Sequence, residues 1–206
     1  MSEGMRLNLY KHGLRVLGIA ESFKRRGERS ILAGVVMRAD SEIDGVAVDS
    51  ASVGGLDATD AVLRIFKKLS REDINIILLN GAVVSWFNII EIDKLYDHLR
   101  VPIISVTYEE SEGLERYIRE YFGDSVDFDE RMRRYRELGE RCEVKLKNGF
   151  TIWVRTAGIS EEDATVVLNR FTHHGKIAEP IRVARLIARS VMGFQEEWEG
   201  LYLQNS

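Results

Sequence analysis

The chain has little of what stabilises or marks many proteins outside the cell. One cysteine, Cys142, stands among 206 residues. A lone cysteine closes no internal disulfide, which fits a reducing compartment. Its place in an apparent strand predicts a buried thiol rather than a nucleophile. No stretch approaches the ~18 consecutive apolar residues of a membrane span. Lys11, His12 and Arg15 interrupt any N-terminal signal-like run, so a cytoplasmic protein is expected, with no membrane partner. There is no Gly-rich phosphate loop, no serine-elbow motif and no paired-cysteine zinc spacing. ATPase, dehydrogenase and serine-hydrolase readings therefore have no support. Repeats, low-complexity tracts and long linkers are absent as well. Glutamine occurs only at Gln195 and Gln204, while charged residues make up 30%, a bias met in proteins of hyperthermophiles. The net charge of −4 is not that of a general nucleic-acid coat, although it leaves room for a local basic groove.

What is present is a core and a change of period. Hydrophobic residues make up 45%, enough for one domain of this length. A loose arm is expected over residues 1–13. Leu14 to Ile19, Ile31 to Met37 and Asp44 to Val48 read as strands, and their short connections require an antiparallel meander. From Asp57 to Leu69, Ala61, Val62, Ile65, Phe66 and Leu69 recur at helical spacing. Ile74 to Leu79 is nearly all apolar, as a strand buried on both faces should be. A helix from Asn88 to Leu99, a strand from Pro102 to Val106, and helices over 112–121 and 129–138 follow. Asn148-Gly149 between two alternating runs predicts a hairpin with a type I′ turn. Ser160 N-caps an acidic helix start, and Pro180 opens a last helix to about Met192. The C-terminal part, 140–192, is thus a hairpin and helices packed on the core. The expected architecture is α/β: an RNase H-like mixed sheet, a three-strand antiparallel meander joined to parallel strands and flanked by helices.

Several segments carry a resemblance. They are Leu14-Arg15-Val16-Leu17-Gly18-Ile19, Gly55-Leu56-Asp57-Ala58-Thr59, Leu78-Leu79-Asn80-Gly81, Phe87-Asn88-Ile89-Ile90-Glu91-Ile92, and Pro102-Ile103-Ile104-Ser105-Val106. The most distinctive is His174-Gly175-Lys176-Ile177-Ala178-Glu179-Pro180-Ile181-Arg182-Val183-Ala184. In this order and spacing they resemble the archaeal endonuclease dU family, a distant relative of endonuclease V. The resemblance implies an RNase H-like fold and metal-dependent cleavage of nucleic acid beside a deaminated base. Carboxylates at the ends of the first and fourth strands would bridge Mg²⁺ or Mn²⁺ and activate water. The family tends to have two aspartates after Gly18-Ile19, where this chain has Ala20-Glu21. It tends to have Asp-Gly where this chain has Asn80-Gly81, and often aspartate where this chain has Gly54.

On that resemblance Glu21 is the principal retained metal ligand and Asn80 completes a weakened site, with Asp57 as a further ligand candidate. Each has an ordinary alternative. Glu21 is otherwise an exposed loop acid, Asn80 a turn residue, and Asp57 a helix N-cap. Trp86 and Phe87 either stack on a base or fill the core, while Asn88 either meets nucleic acid or caps the helix after it. Arg182, Arg185 and Arg189 share a helical face and either contact phosphates or are simply solvated. Arg131, Arg133, Arg134 and Arg136 alternate with acids and read as surface. His173-His174 lacks a recognised ligand spacing. The leading expectation is a metal-dependent endonuclease acting on DNA, with RNA possible. The other is a non-catalytic nucleic-acid-binding or regulatory relative. Oligomeric state is not written in the sequence.

Overall fold

Alternation along the first strand sets the layering. In a computed structural model, which describes residues 8–204, Leu17 and Ile19 of β1 (Arg15–Ser22) enter one apolar layer and Val16 and Ala20 the other. Successive side chains of a strand point to opposite faces, so β1 is buried on both sides. Strands β2 (Arg29–Arg38) and β3 (Ile43–Ser52) continue antiparallel from it, as expected for the meander. After helix α1 (Ala58–Leu69), strand β4 (Ile76–Leu79) pairs parallel with β1. A short hairpin, β5 (Val83–Val84) and β6 (Asn88–Ile89), and helix α2 (Ile92–Leu99) lead to β7 (Ile103–Thr107), parallel to β4. Helices α3 (Glu115–Phe122) and α4 (Phe128–Glu137) precede the antiparallel pair β8 (Cys142–Lys145) and β9 (Thr151–Ala157). Helices α5 (Glu161–Phe171) and α6 (Glu179–Gln204) complete the order.

The sheet runs β3-β2-β1-β4-β7-β9-β8. Helices α1 and α2 cover one face around Val62, Ile65 and Leu95, and α5 and α6 cover the other around Leu168, Phe171 and Ala184. This is the mixed α/β architecture expected. Helix α6 lies close to β1 because Gly18 has no side chain: a Cβ there would sit 2.4 Å from the Pro180 carbonyl carbon.

Local details differ from the sequence expectations. Of the N-terminal arm, residues 1–7 lie outside the described residues. Leu9 is buried in the second layer, and Arg170 donates to the Leu9 and Lys11 carbonyls, so this part is tied down. Asn88 does not open a helix but lies in β6, and α2 starts later. The β8–β9 turn is not type I′, which needs positive φ at both central residues. Only Gly149 has it, at 90°, and Leu146 pairs with Phe150 across three residues. That is a three-residue loop ending in a left-handed glycine. Cys142 is half-buried, its thiol donating to Glu161 at 2.6 Å. Ser160 caps α5 as expected, accepting from the Asp163 N–H. Helix α6 runs well past Met192. Among the described residues no helix is long and apolar enough to cross a membrane.

Candidate nucleic-acid site at the strand ends

Three parallel strands, β1, β4 and β7, end on the same side of the sheet. The register Ile19 to Leu79 and Leu79 to Ser105 carries Glu21, Asn80 and Tyr108 to neighbouring strand exits. The Asn80 N–H donates to the Ile19 carbonyl at 2.9 Å, which fixes Asn80 beside Ala20 and Glu21. The structure therefore brings together the two residues expected to form the site.

It also shows what kind of site they make. Ala20, 2% exposed, points into the layer under α6. Glu21, next along the strand, points to the other face, so it does not stand in for an acid at position 20. Burial raises the Glu21 carboxyl above its ordinary value because the charged form loses hydration. Its own backbone, the Arg185 charge, the Ser85 backbone and the Asn80 amide oppose that shift. One oxygen, Oε2, is buried without a hydrogen-bond partner. Burial likewise pushes the Tyr108 hydroxyl far up, against the Arg185 charge, and that hydroxyl too lacks a partner. Arg185 of α6 is half-buried, and its charge acts on both groups.

The acids Asp57 and Glu91 serve elsewhere. Asp57 stands at the N-cap position of α1 but makes no capping bond. It accepts from the Ser52 N–H at 2.9 Å, the Ser52 hydroxyl at 3.1 Å and the Asn88 amide at 2.7 Å. Burial opposes ionisation, yet these bonds hold its carboxyl below the usual range. Asn88 is completely buried. Its Oδ1 accepts from the Ala58 N–H at 3.0 Å, and its Nδ2 also donates to the Ser52 carbonyl at 2.9 Å. It thus caps α1, not the helix that follows it, and has no face left for nucleic acid. Glu91 is paired with Arg134 at 3.3 Å and Arg133 at 3.7 Å. Arg182 is paired with Glu179 at 2.5 Å. His173 Nε2 meets the Ser41 hydroxyl at 2.9 Å.

A catalytic dication needs several hard, preferably anionic, oxygens. The strand ends offer one buried carboxyl and one neutral amide, with the Arg185 charge acting on the carboxyl. Among the described residues no group of three or more histidine, cysteine, aspartate or glutamate side chains is placed to hold a metal ion. The donor set does not fit the expected Mg²⁺ or Mn²⁺ centre.

Beside Asn80 and Gly81 opens a cavity of about 780 Å³. Its walls carry the cations Arg141 and Arg155 and the acids Glu109, Glu110, Glu112 and Glu140, together with Thr107, Tyr108 and Trp153. Sequence reading missed these residues because they come from β7, β9 and the segments after β7 and before β8, which only the folded sheet brings together. It also misplaced Arg131, which is not surface but 0% exposed. Arg131 donates to the carbonyls of Gly54 at 2.7 Å, Gly55 at 2.9 Å and Phe87 at 2.6 Å. It braces the loops before α1 and after β5. Trp86 and Phe87 are half-buried in an aromatic group with Tyr121 and Phe122.

Comparison with known proteins agrees with this architecture. The family model described as endonuclease dU matches residues 12–192. A UPF0215 protein of Pyrobaculum calidifontis is 40% identical over 176 residues, covering 85% of this chain and 95% of the relative. A UPF0215 protein of Thermococcus kodakarensis is 31% identical over 189 residues, covering 88% and 94%. Among solved structures, a protein of unknown function from Archaeoglobus fulgidus superposes with a TM-score of 0.75 at 24% identity, over 86% of this chain and 98% of that one. Human endonuclease V gives 0.60 at 15% identity, over 93% and 89%. Endonuclease V of Ciona intestinalis, in complex with a 24mer DNA containing an inosine, gives 0.59 at 16%, over 88% and 86%. At these identities the likeness to the solved structures is one of fold.

Proposed function

This chain belongs to the endonuclease dU family, and from that premise we propose that it binds nucleic acid at the crevice where β1, β4 and β7 end, without metal-dependent cleavage. The preferred partner is DNA, with RNA as the alternative. The observation that carries this reading is the state of the crevice. The carboxyl at the strand ends, Glu21, is buried and disfavoured as an anion, and the positive charge of Arg185 acts on it. A phosphodiester brings its own negative charge and acceptor oxygens, which such a donor set suits without a bridging cation. The adjoining cavity of about 780 Å³ falls in the size range of small-molecule pockets and would admit a base swung out of its stack. The DNA-bound Ciona relative supports a nucleic-acid partner for this fold. Family membership itself favours a second reading, a nuclease with a weakened site.

One experiment separates them. Labelled oligonucleotides carrying a single deoxyuridine or deoxyinosine are incubated hot with Mg²⁺ or Mn²⁺, with and without chelator. The expected result is binding that weakens with salt, is indifferent to chelator, and leaves the strand intact. Metal-dependent nicking by the wild-type protein would establish the nuclease. Absence of binding to single and double strands alike would end both readings.

A further inference from the structure

We propose that Trp86, Tyr121 and Arg25 form a stacking clamp for one unpaired nucleobase at the lip of the crevice, so that the protein prefers single-stranded to duplex nucleic acid. This rests on the nucleic-acid reading above and names the form of strand that the site takes.

The backbone supplies the first observation. Ser85, Trp86 and Phe87 all have positive φ, at 45°, 62° and 62°. Side-chain-bearing residues rarely adopt this conformation even singly, and here three do so in succession. Such a segment persists only where its surroundings over-determine it. Those surroundings are on view: the Gly54 N–H donates to the Ser85 carbonyl at 2.7 Å, and Arg131 donates to the Phe87 carbonyl at 2.6 Å. The Ser85 hydroxyl donates to that of Ser30 at 2.6 Å.

The strained turn delivers an aromatic shelf. Trp86 meets Tyr121 edge-on, with centroids 5.0 Å apart, and Phe87 at 5.2 Å. Tyr121 is 42% exposed and Trp86 only half-buried, so the group is not sealed core. The Arg25 guanidinium lies 4.0 Å over the Trp86 ring and 5.1 Å from that of Tyr121. It is a planar cation on an exposed loop. A nucleobase is likewise flat, and can take the ring face while Arg25 turns to the adjacent phosphate. Arg26 adds a second exposed cation on the same loop. The shelf adjoins the crevice, since Ser85, one residue before Trp86, has its backbone against Glu21. Stacking on aromatic rings is sequence-tolerant and needs an unpaired base, whereas paired bases in a duplex keep their faces covered.

The test is fluorescence anisotropy with a labelled oligothymidylate and with a duplex of equal length. It compares the wild-type chain with Trp86→Ala, Tyr121→Ala, Arg25→Ala and Trp86→Phe. Trp86→Ala and Tyr121→Ala should each weaken single-strand binding about tenfold and leave duplex binding nearly unchanged. Trp86→Phe should retain most of the affinity. Arg25→Ala lies on an exposed loop and spares the fold, so it guards against a shelf variant that merely unfolds. It should weaken single-strand binding and flatten its salt dependence by about one phosphate contact. Equal losses for both strand forms, or no loss in any variant, overturn the clamp while leaving the nucleic-acid reading standing. A wild-type chain that binds neither probe overturns that reading instead.

Discussion

Arg131 brings a guanidinium into an interior where burial lowers its pKa, and Asp127 at 2.5 Å only partly offsets that cost. Its value lies in the carbonyls it satisfies at Gly54, Gly55 and Phe87, none of which sits in regular structure. Removing the side chain leaves those acceptors without their donor and Asp127 without its ion pair. Arg131→Ala should therefore cost about 3–5 kcal/mol, read from denaturant unfolding, whereas Arg133→Ala, exposed on the same helix, should cost under about 1 kcal/mol. Glu21 makes the opposite case. The folded state holds its proton more tightly than the unfolded chain does, because burial raises the carboxyl above 4.5. Stability from this group is full below that value and is lost as pH rises through the folded value. Glu21→Gln should match the wild type near about pH 4 and exceed it at about pH 8, where the carboxylate is paid for in desolvation. If unfolding curves at the two pH values move in parallel, the buried-acid picture is wrong. Neither residue's environment could be read in the sequence. Alternation with acids made Arg131 look solvated, since spacing along α4 does not reveal which loops lie beneath it.

At the scale of elements, the regular pieces were legible because period and punctuation agree. The meander, α1, the apolar strands β4 and β7, and the Ser160 cap were all readable in this way. What escaped were features set by tertiary partners. Asn88 looks like a cap for the helix after it, but its amide reaches thirty residues back, to Ala58. The turn at Asn148-Gly149 carries the dipeptide of a two-residue loop, yet register across β8 and β9 makes it a three-residue one. Docking of α6 on β1 is likewise invisible until Gly18 and Pro180 meet. Any side chain at position 18 must push the helix away, so Gly18→Ala should destabilise by about 1–3 kcal/mol. Gly193, inside α6 with open space around it, predicts the reverse. Gly193→Ala should stabilise by about 0.5–1 kcal/mol, because alanine loses less backbone entropy on entering a helix. Guanidinium unfolding of the two variants checks both signs.

The whole molecule decides which strand ends become neighbours, and with that which chemistry the crevice supports. The order β1-β4-β7 places position 20 beside position 80, whatever residues occupy them. Where the resemblance leads one to expect aspartates, this chain has a buried alanine and an amide, so the charge at its strand ends is low. Introducing acids at both positions should create affinity for a divalent cation. In the double variant Ala20→Asp/Asn80→Asp, two adjacent carboxylates with Arg185 nearby would be costly without a counter-cation, and the protein should be less stable than the wild type in chelator. Mn²⁺ should then raise its unfolding midpoint with metal concentration, as a ligand that binds only the folded state must. The wild-type midpoint should not move. Because each protein is compared with itself, with and without metal, the lower starting stability of the variant does not confuse the result. A wild-type chain stabilised by Mn²⁺ as strongly as the variant would mean that Glu21 and Asn80 already hold the ion. The cleavage reading would then displace the binding one.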